Sequence, residues 1–297
     1  MLIFCFAAFN SLPLQSDIHY HIKTKESYFS VNTGKVQIKD VLAALERFAP
    51  LPLQEDFDNA GLQVGLTETE VSGALLCLDV TEAIVDEAVR KGCNVIVSHH
   101  PLIFHKLRQV AAADYVQRTV MKAIKHDITI ISMHTNLDAV EGGVNYKMAE
   151  KMHLHNLRFM GAEKSVGGRN GGEGLVGELP EELAADDLVL MLRREFGVEC
   201  VQCNQLLRRG IRRVALCGGA GSFLLQKAIA AGADAFVTGE MHYHEYFGHD
   251  QEIQICVIGH YQSEQYTSEV LRDVLAEACP DVRCDITEIN TNPIIYL

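Results

Sequence analysis

Three short stretches carry side chains that bind divalent cations, and each closely follows an apolar run. His99-His100-Pro101 follows Val95–Ser98, His134-Thr135-Asn136-Leu137-Asp138 follows Thr129–Met133, and His260-Tyr261-Gln262-Ser263-Glu264 follows Ile255–Gly259. The imidazoles of His99, His100 and His260 with the carboxylates of Asp138 and Glu264 can hold two divalent ions, one carboxylate bridging them. Two ions at that spacing share a water, lower its pKa and clamp an oxyanion. The i, i+4 spacing of His260 and Glu264 puts both on one face once a helix has begun. No thiolate belongs to the set, so zinc, manganese, iron, cobalt or nickel would suit it. His134 mirrors His260, as a ligand or as a partner that orients Asp138. Glu240 and His244 are candidates for moving protons, and His105 and His242 for touching substrate or serving as plain rim histidines.

A lone His-His pair or a lone His-x3-Glu is common without any metal. Here the elements occupy equivalent ends of a repeated unit. Ala74–Ser98 lies without a gap over Val214–Thr238 at a constant offset of 140 residues. The apolar runs and the helix stop coincide, and a second apolar run in each half leads into His-x3-Asp or His-x3-Glu. Such a match is the signature of a duplication. It places Glu240 where the first half has His100.

The elements needed to position these groups read as parallel α/β units. Val36–Phe48 has helical apolar spacing, Leu62–Val64 is a short strand, and Leu75–Leu78 a longer one. Thr81 caps a helix that Gly92 ends, Val95–Val97 is a buried strand, and a helix over Tyr115–Lys125 leads to the strand Ile128–Ser132. Strand, helix, strand in alternation implies a parallel sheet whose ligands collect beyond the carboxyl ends of its strands. In the second half, Asp186–Phe196 reads as a helix, Ser263–Cys279 as an amphipathic helix and Asp285–Asn290 as a last strand. The fold expected is α/β, two similar duplicated domains with a metal site in the cleft between them. The expected boundaries are a poorly ordered extension at 1–34, a first domain at 35–160, a glycine-rich linker at 161–174 and a second domain at 175–297, whose 260–297 part packs at the cleft. Gly218-Gly219-Ala220-Gly221 is better placed than the linker to receive an anion, although a tight strand-to-helix turn is the commoner use of such glycines.

At 297 residues, 48% hydrophobic, the chain can fill two cores. A formal charge of −13 argues against a nucleic-acid partner, which demands a basic face, and no apolar stretch reaches the length of a membrane span. Nine scattered cysteines, an odd count, read as reduced thiols of a cytoplasmic protein, including the Cys200-x-x-Cys203 pair.

Several of these blocks also resemble a known family. Ser98-His99-His100-Pro101-Leu102, His134–Asp138 with Gly142-Gly143-Val144-Asn145, Thr238-Gly239-Glu240 with His244, and Gly259-His260 with Glu264 resemble the signature blocks of the NIF-three-like family, also called GTP cyclohydrolase type 2-like. Asp58–Gly65 and Asn290–Pro293 resemble its terminal blocks, so the likeness runs from Val36 to Leu297. The resemblance implies two α/β domains around a two-metal cleft, with His99, His100, Asp138, His260 and Glu264 as ligands. It also implies a ring-shaped homohexamer of the short form, in which only Gly161–Gly174 stands where other members insert a domain. The function expected is a dinuclear metal-dependent hydrolase, GTP cyclohydrolase type 2-like, acting through a metal-bridging water on a small-molecule substrate, with nucleotides among the candidates. The competing expectations are a phosphoesterase using the same ions and a non-catalytic metal-binding scaffold.

Overall fold

Short apolar runs bounded by turns make buried strands. The computed structural model, which describes residues 35–297, builds two sheets on such runs. The first half supplies β1 (Gly61–Val64), β2 (Ala74–Cys77), β3 (Val95–Ser98) and β4 (Thr129–Ser132). Next come β5 (His155–Phe159), the hairpin of β6 (Lys164–Val166) and β7 (Arg169–Gly171), and β8 (Leu175–Leu183). The second half adds β9 (Gln202–Cys203), β10 (Ile211–Cys217), β11 (Ala235–Thr238), β12 (Gln254–Val257) and β13 (Cys284–Ile286). One sheet has the order β1-β4-β3-β2-β13 and the other β5-β8-β10-β11-β12-β9. In each, three neighbouring strands run parallel (β2, β3 and β4; β10, β11 and β12), and β1 or β9 closes one side antiparallel.

The helices lie on both faces. They are α1 (Ile38–Phe48), α2 (Glu82–Lys91), α3 (Tyr115–Lys125), α4 (Thr135–Ala139), α5 (Val144–Lys151), α6 (Ala185–Phe196), α7 (Leu225–Ala230), α8 (His260–Glu264) and α9 (Thr267–Ala278). None of them is long and apolar enough to cross a membrane. Thr81 caps α2 by accepting the Ile84 amide, and Gly92 ends it in the left-handed region at φ 66°.

Alternation along the strands explains the layering. Ala74, Leu76, Val95 and Val97 join a core with α1 and α9, whereas Leu75, Cys77 and Ile96 join one with α2 and α3. The second sheet repeats this: Val214, Leu216, Ala235 and Val237 share a core with α6, while Ala215, Cys217 and Phe236 face α7. Residues 140 positions apart therefore hold the same places in two sheets, which is the duplication in three dimensions. The helix α5 joins the halves, with Val144 in the first core and Met148 and Ala149 in the second.

Three expectations differ from the structure. The segment 161–174 is no bare linker: Gly167 and Gly168, at φ 59° and 79°, turn the β6–β7 hairpin, and Arg169 ties it to the first half through the Phe48 carbonyl at 3.0 Å. The single helix expected over Ser263–Cys279 is two, α8 and α9. The Gln265 amide donates to the Phe196 carbonyl (2.9 Å) and the Tyr266 hydroxyl to that of Glu195 (3.2 Å), so both side chains are held on α6 where the helix breaks. The last 30 residues or so do not stay with the second half. The stripe Val270, Leu271 and Leu275 of α9 fills the first core, and β13 pairs parallel with β2, covering what would otherwise be an open edge. The extension expected at 1–34 lies outside the described residues. Cys203 stands opposite Cys256 across β9 and β12, Sγ atoms 3.9 Å apart, and the described cysteines are free thiols.

The returning chain is fastened by Glu87 of α2, whose side chain is fully buried. It accepts the Thr287 hydroxyl, the Glu288 amide at 3.0 Å, and Lys91 Nζ at 3.1 Å. Burial pushes the Glu87 carboxyl up, but these three partners outweigh it and hold it below its ordinary 4.5. Glu87→Ala should cost about 1–3 kcal/mol in urea denaturation, the cost of unpaired buried donors. Because the folded pKa is depressed, this contribution is complete above pH 4.5 and is lost as pH falls through the lowered value. The gap between wild type and variant should accordingly close in acid.

Candidate metal centre

The carboxyl ends of β3, β4 and β12 deliver the histidines. The amide of His99 donates to Cys77 O (3.2 Å) and that of His100 to Leu78 O (2.9 Å), which continues the strand ladder and turns the two adjacent side chains different ways. His134 opens α4, which carries Asp138, and α8 carries His260 and Glu264 one turn apart. His99 is fully buried and Glu264 is 3% exposed.

Every imidazole in the cluster is fastened through Nδ1 to an acceptor outside it. His99 Nδ1 faces the Met133 carbonyl (2.9 Å), His100 Nδ1 faces Asp79 (2.8 Å), His134 Nδ1 faces Asp58 (2.7 Å) and His260 Nδ1 faces Glu240 (2.9 Å). An Nδ1–H donated outward leaves the Nε2 atom for the interior. Those interior atoms form two groups that share Glu264. His99 Nε2 is 3.6 Å from Asp138 Oδ1 and 3.7 Å from Glu264 Oε1. His100 Nε2 and His260 Nε2 stand 3.0 and 3.1 Å from Glu264 Oε2, and 3.3 Å from each other. Donors bound tetrahedrally at about 2.1 Å from an ion are about 3.4 Å apart, so both groups fit one. His134 adds a third grouping with His99 and His100.

The donors also fit electrostatically. His99 Nε2 and Asp138 Oδ1 are sealed from solvent without a hydrogen-bond partner, a state that costs about 1–3 kcal/mol per group, and the equally sealed Glu264 Oε2 meets only the His100 and His260 nitrogens. Burial lowers His99. Burial would lower His100 and His260 as well, yet Asp79 and Glu264 lift the first to about 10 and Glu264 lifts the second to about 9. Burial and then the charge of Glu264 push Asp138 well up, while the surrounding imidazoles hold Glu264 well down against its burial. Protein groups alone thus favour the protonated forms of His100, His260 and Asp138. A divalent cation would replace those protons and keep both carboxylates ionised, so these groups could hold a metal ion.

The Duf34/NIF3 (NGG1p interacting factor 3) family profile matches residues 36–293 of the chain. The chain belongs to this family. Among NIF3-family relatives, the GTP cyclohydrolase 1 type 2 homolog of Clostridium perfringens is 33% identical over 230 residues, covering 77% of this chain and 87% of that protein. The homolog of the same name from Clostridium acetobutylicum is 31% identical over 231 residues, covering 77% and 85%. A Staphylococcus aureus hypothetical protein superposes with a TM-score of 0.82 at 28% identity, covering 89% of this chain and all of that one. A Bacillus cereus protein related to NIF3 shares the fold, with a TM-score of 0.79 at 23% identity and the same coverage.

The structure thus gathers His99, His100, Asp138, His260 and Glu264, and adds His134. Glu240 stands at the rim with 55% of its side chain exposed and touches the cluster only through His260. His244 is not brought there: it lies against Tyr243 and Phe247 and does not line the cavity that holds the donors. Nor does His105 or His242. Sequence reasoning missed Asp58 and Asp79. Asp58 read as turn chemistry, and only its place in a family-like block marked it. Asp79 directly follows the strand-like run Leu75–Leu78, and Thr291 of the C-terminal block donates to it at 2.6 Å. Asp58 also accepts the Thr135 amide and hydroxyl, and although burial raises it, these bonds and His134 bring it down to about 2. Asp79→Asn, which loosens the ring of His100, should weaken metal affinity about tenfold while leaving the number of ions at saturation unchanged. A competition titration against a chromophoric chelator reads both quantities.

Proposed function

We propose that this chain is a dinuclear metal-dependent hydrolase, with one ion held by His99, Asp138 and Glu264 and the other by His100, His260 and Glu264. The observation that carries this reading is the outward fastening of every Nδ1, which leaves Nε2 atoms and carboxylate oxygens converging on two centres. Imidazole with carboxylate suits zinc, manganese, iron, cobalt or nickel. Bound there, two ions would lower the pKa of a shared water and polarise a substrate oxygen. Asp79, Asp58 and Glu240 hold the imidazole rings in place, and the exposed Glu240 can take or give a proton at the cavity rim. Because His100 and His260 favour their protonated forms when only protein groups surround them, metal uptake should release protons and weaken as pH falls.

A cavity of about 800 Å³ opens on the donors and is lined by His100, His134, Asp138, His260 and Glu264. Room for a small substrate beside the donors favours an enzyme over a metal-holding scaffold. The names of the relatives, GTP cyclohydrolase 1 type 2 homologs, favour a nucleotide-related substrate. The reading takes the chain as a cytoplasmic hexamer, which sedimentation of the intact chain would measure.

The test is elemental analysis of protein purified without added metal, followed by GTP turnover in the same preparation. Two ions per chain with metal-dependent turnover is the expected result. Two ions without turnover keeps the centre and removes GTP as substrate. A chain that takes up no metal even after reconstitution would falsify the reading.

A further inference from the structure

Among the described residues, the large exposed aromatic side chains are Phe57, Phe104, Tyr115, Phe223, Tyr243 and Phe247. Four of the six, Phe57, Phe104, Tyr115 and Phe223, line the cavity that holds His100, His134, Asp138, His260 and Glu264. Phe57 is 67% and Phe223 63% exposed, so neither serves as a core anchor. Apolar surface gathered in one concave place, against the cost of wetting it, marks a binding site. The rings also lead to the chemistry. Phe57 meets Phe104 edge-on at 6.3 Å, and Phe104 meets His134 edge-on at 6.0 Å. Phe57, Phe104 and Tyr115 come from the first half, and Phe223 from the turn after β10 in the second.

The charge of the same wall runs against phosphate. Among the described residues, the cavity lining includes Glu55, Asp79, Asp138, Glu173 and Glu264 but no lysine or arginine. Glu173 is paired with Lys227 and Asp79 with His100, which leaves Glu55 as an acidic acceptor away from the donor cluster. Proteins that grip polyphosphates supply arginine forks, lysines or helix N-termini lined with free amides. Two bound ions would themselves be half neutralised by Asp138 and Glu264. Aromatic faces with carboxylate acceptors suit a flat ring that carries N–H or amino donors.

We propose that this cavity selects its substrate by a planar, uncharged heteroaromatic ring bearing amino or ring N–H groups, stacked on Phe104 and Phe223, and not by a phosphate chain. The inference rests on the hydrolase reading for the fate of the ring and narrows its substrate class. Recognition then lies in ring stacking, and phosphates attached to such a ring point to solvent.

Calorimetric titration of the metal-loaded chain at low ionic strength tests this, with guanosine, adenosine, cytidine and sodium tripolyphosphate as probes. At least one nucleoside should bind about tenfold or more tightly than tripolyphosphate, and its triphosphate should bind no tighter than the nucleoside. Phe104→Ala and Phe223→Ala should each weaken that nucleoside about fivefold or more, with metal content unchanged. Tighter binding of tripolyphosphate than of every nucleoside, failure of all three nucleosides to bind, or alanine variants that bind like wild type would overturn the proposal. So would variants that alter only the sedimentation of the chain, since the aromatics would then be an assembly surface. Metal content measured on the same samples separates the two readings. A chain without metal that still binds a nucleoside sinks the hydrolase assignment and leaves ring recognition standing.

Discussion

In the proposed two-ion centre, Glu264→Gln should strip the chain of both ions rather than one. Glu264 is the one side chain whose two oxygens serve different groups, Oε1 beside His99 and Oε2 beside His100 and His260. Glutamine keeps the shape but removes the charge and turns an N–H₂ towards one of the centres. Each centre then loses an anionic donor. The loss in affinity should exceed the roughly 10–100-fold that follows loss of an outer partner. Elemental analysis should find bound metal falling from two ions towards none, and hydrolytic turnover should fall to background. The fold should survive, because the substitution opens no cavity, and circular dichroism is the check. His99→Ala separates the roles, since His99 Nε2 stands beside Asp138 Oδ1 and Glu264 Oε1, and the substitution should cost that ion first. Two tightly held ions in Glu264→Gln would show that Glu264 is not a ligand.

The second large effect comes from a residue with no donor at all. Gly219 follows β10 at φ 58°, in the left-handed region that favours glycine, and a Cβ there would overlap Glu264 Oε1 and crowd His260. Its amide is taken by the Ser263 hydroxyl at 3.0 Å, on the same helix α8. Gly219→Ala should therefore push Glu264 out of register and lower metal content nearly as far as loss of the ligand. A displacement of about 1 Å in a preorganised site is enough to do so. Elemental analysis again reads the result, and wild-type metal content in Gly219→Ala would refute the packing argument. Within the turn Gly218–Gly221, Gly219 thus gives clearance to the Glu264 carboxylate.

How much of this was legible follows from which interactions are local. The strands could be read because apolar runs and period-2 alternation are properties of adjacent residues, and the duplication because both halves keep that pattern in step. The helix ends could be read where capping is local, as at Thr81 and Gly92. Strand ends, in turn, placed His99, His100, Asp138, His260 and Glu264 at one rim, since ligands of parallel α/β sheets gather there. The β6–β7 hairpin was less legible, because glycine richness marks a tight turn and a linker alike.

What only the tertiary structure decided lies between residues far apart in the chain. Asp58 meets His134 across 76 residues and Asp79 meets Thr291 across 212, and no period or motif encodes such pairs. The return of β13 to β2 depends on which sheet edge is open once α9 has packed against α1, a choice made by burial and not by local propensity. The division of the donors into two groups sharing Glu264, and the gathering of four aromatic rings beside them, likewise require both halves to be in place. The residue types and their local order determined the fold class and the candidate donors. The direction in which each donor points was decided by side chains brought from elsewhere, because a ring nitrogen is oriented by the partner of its other nitrogen.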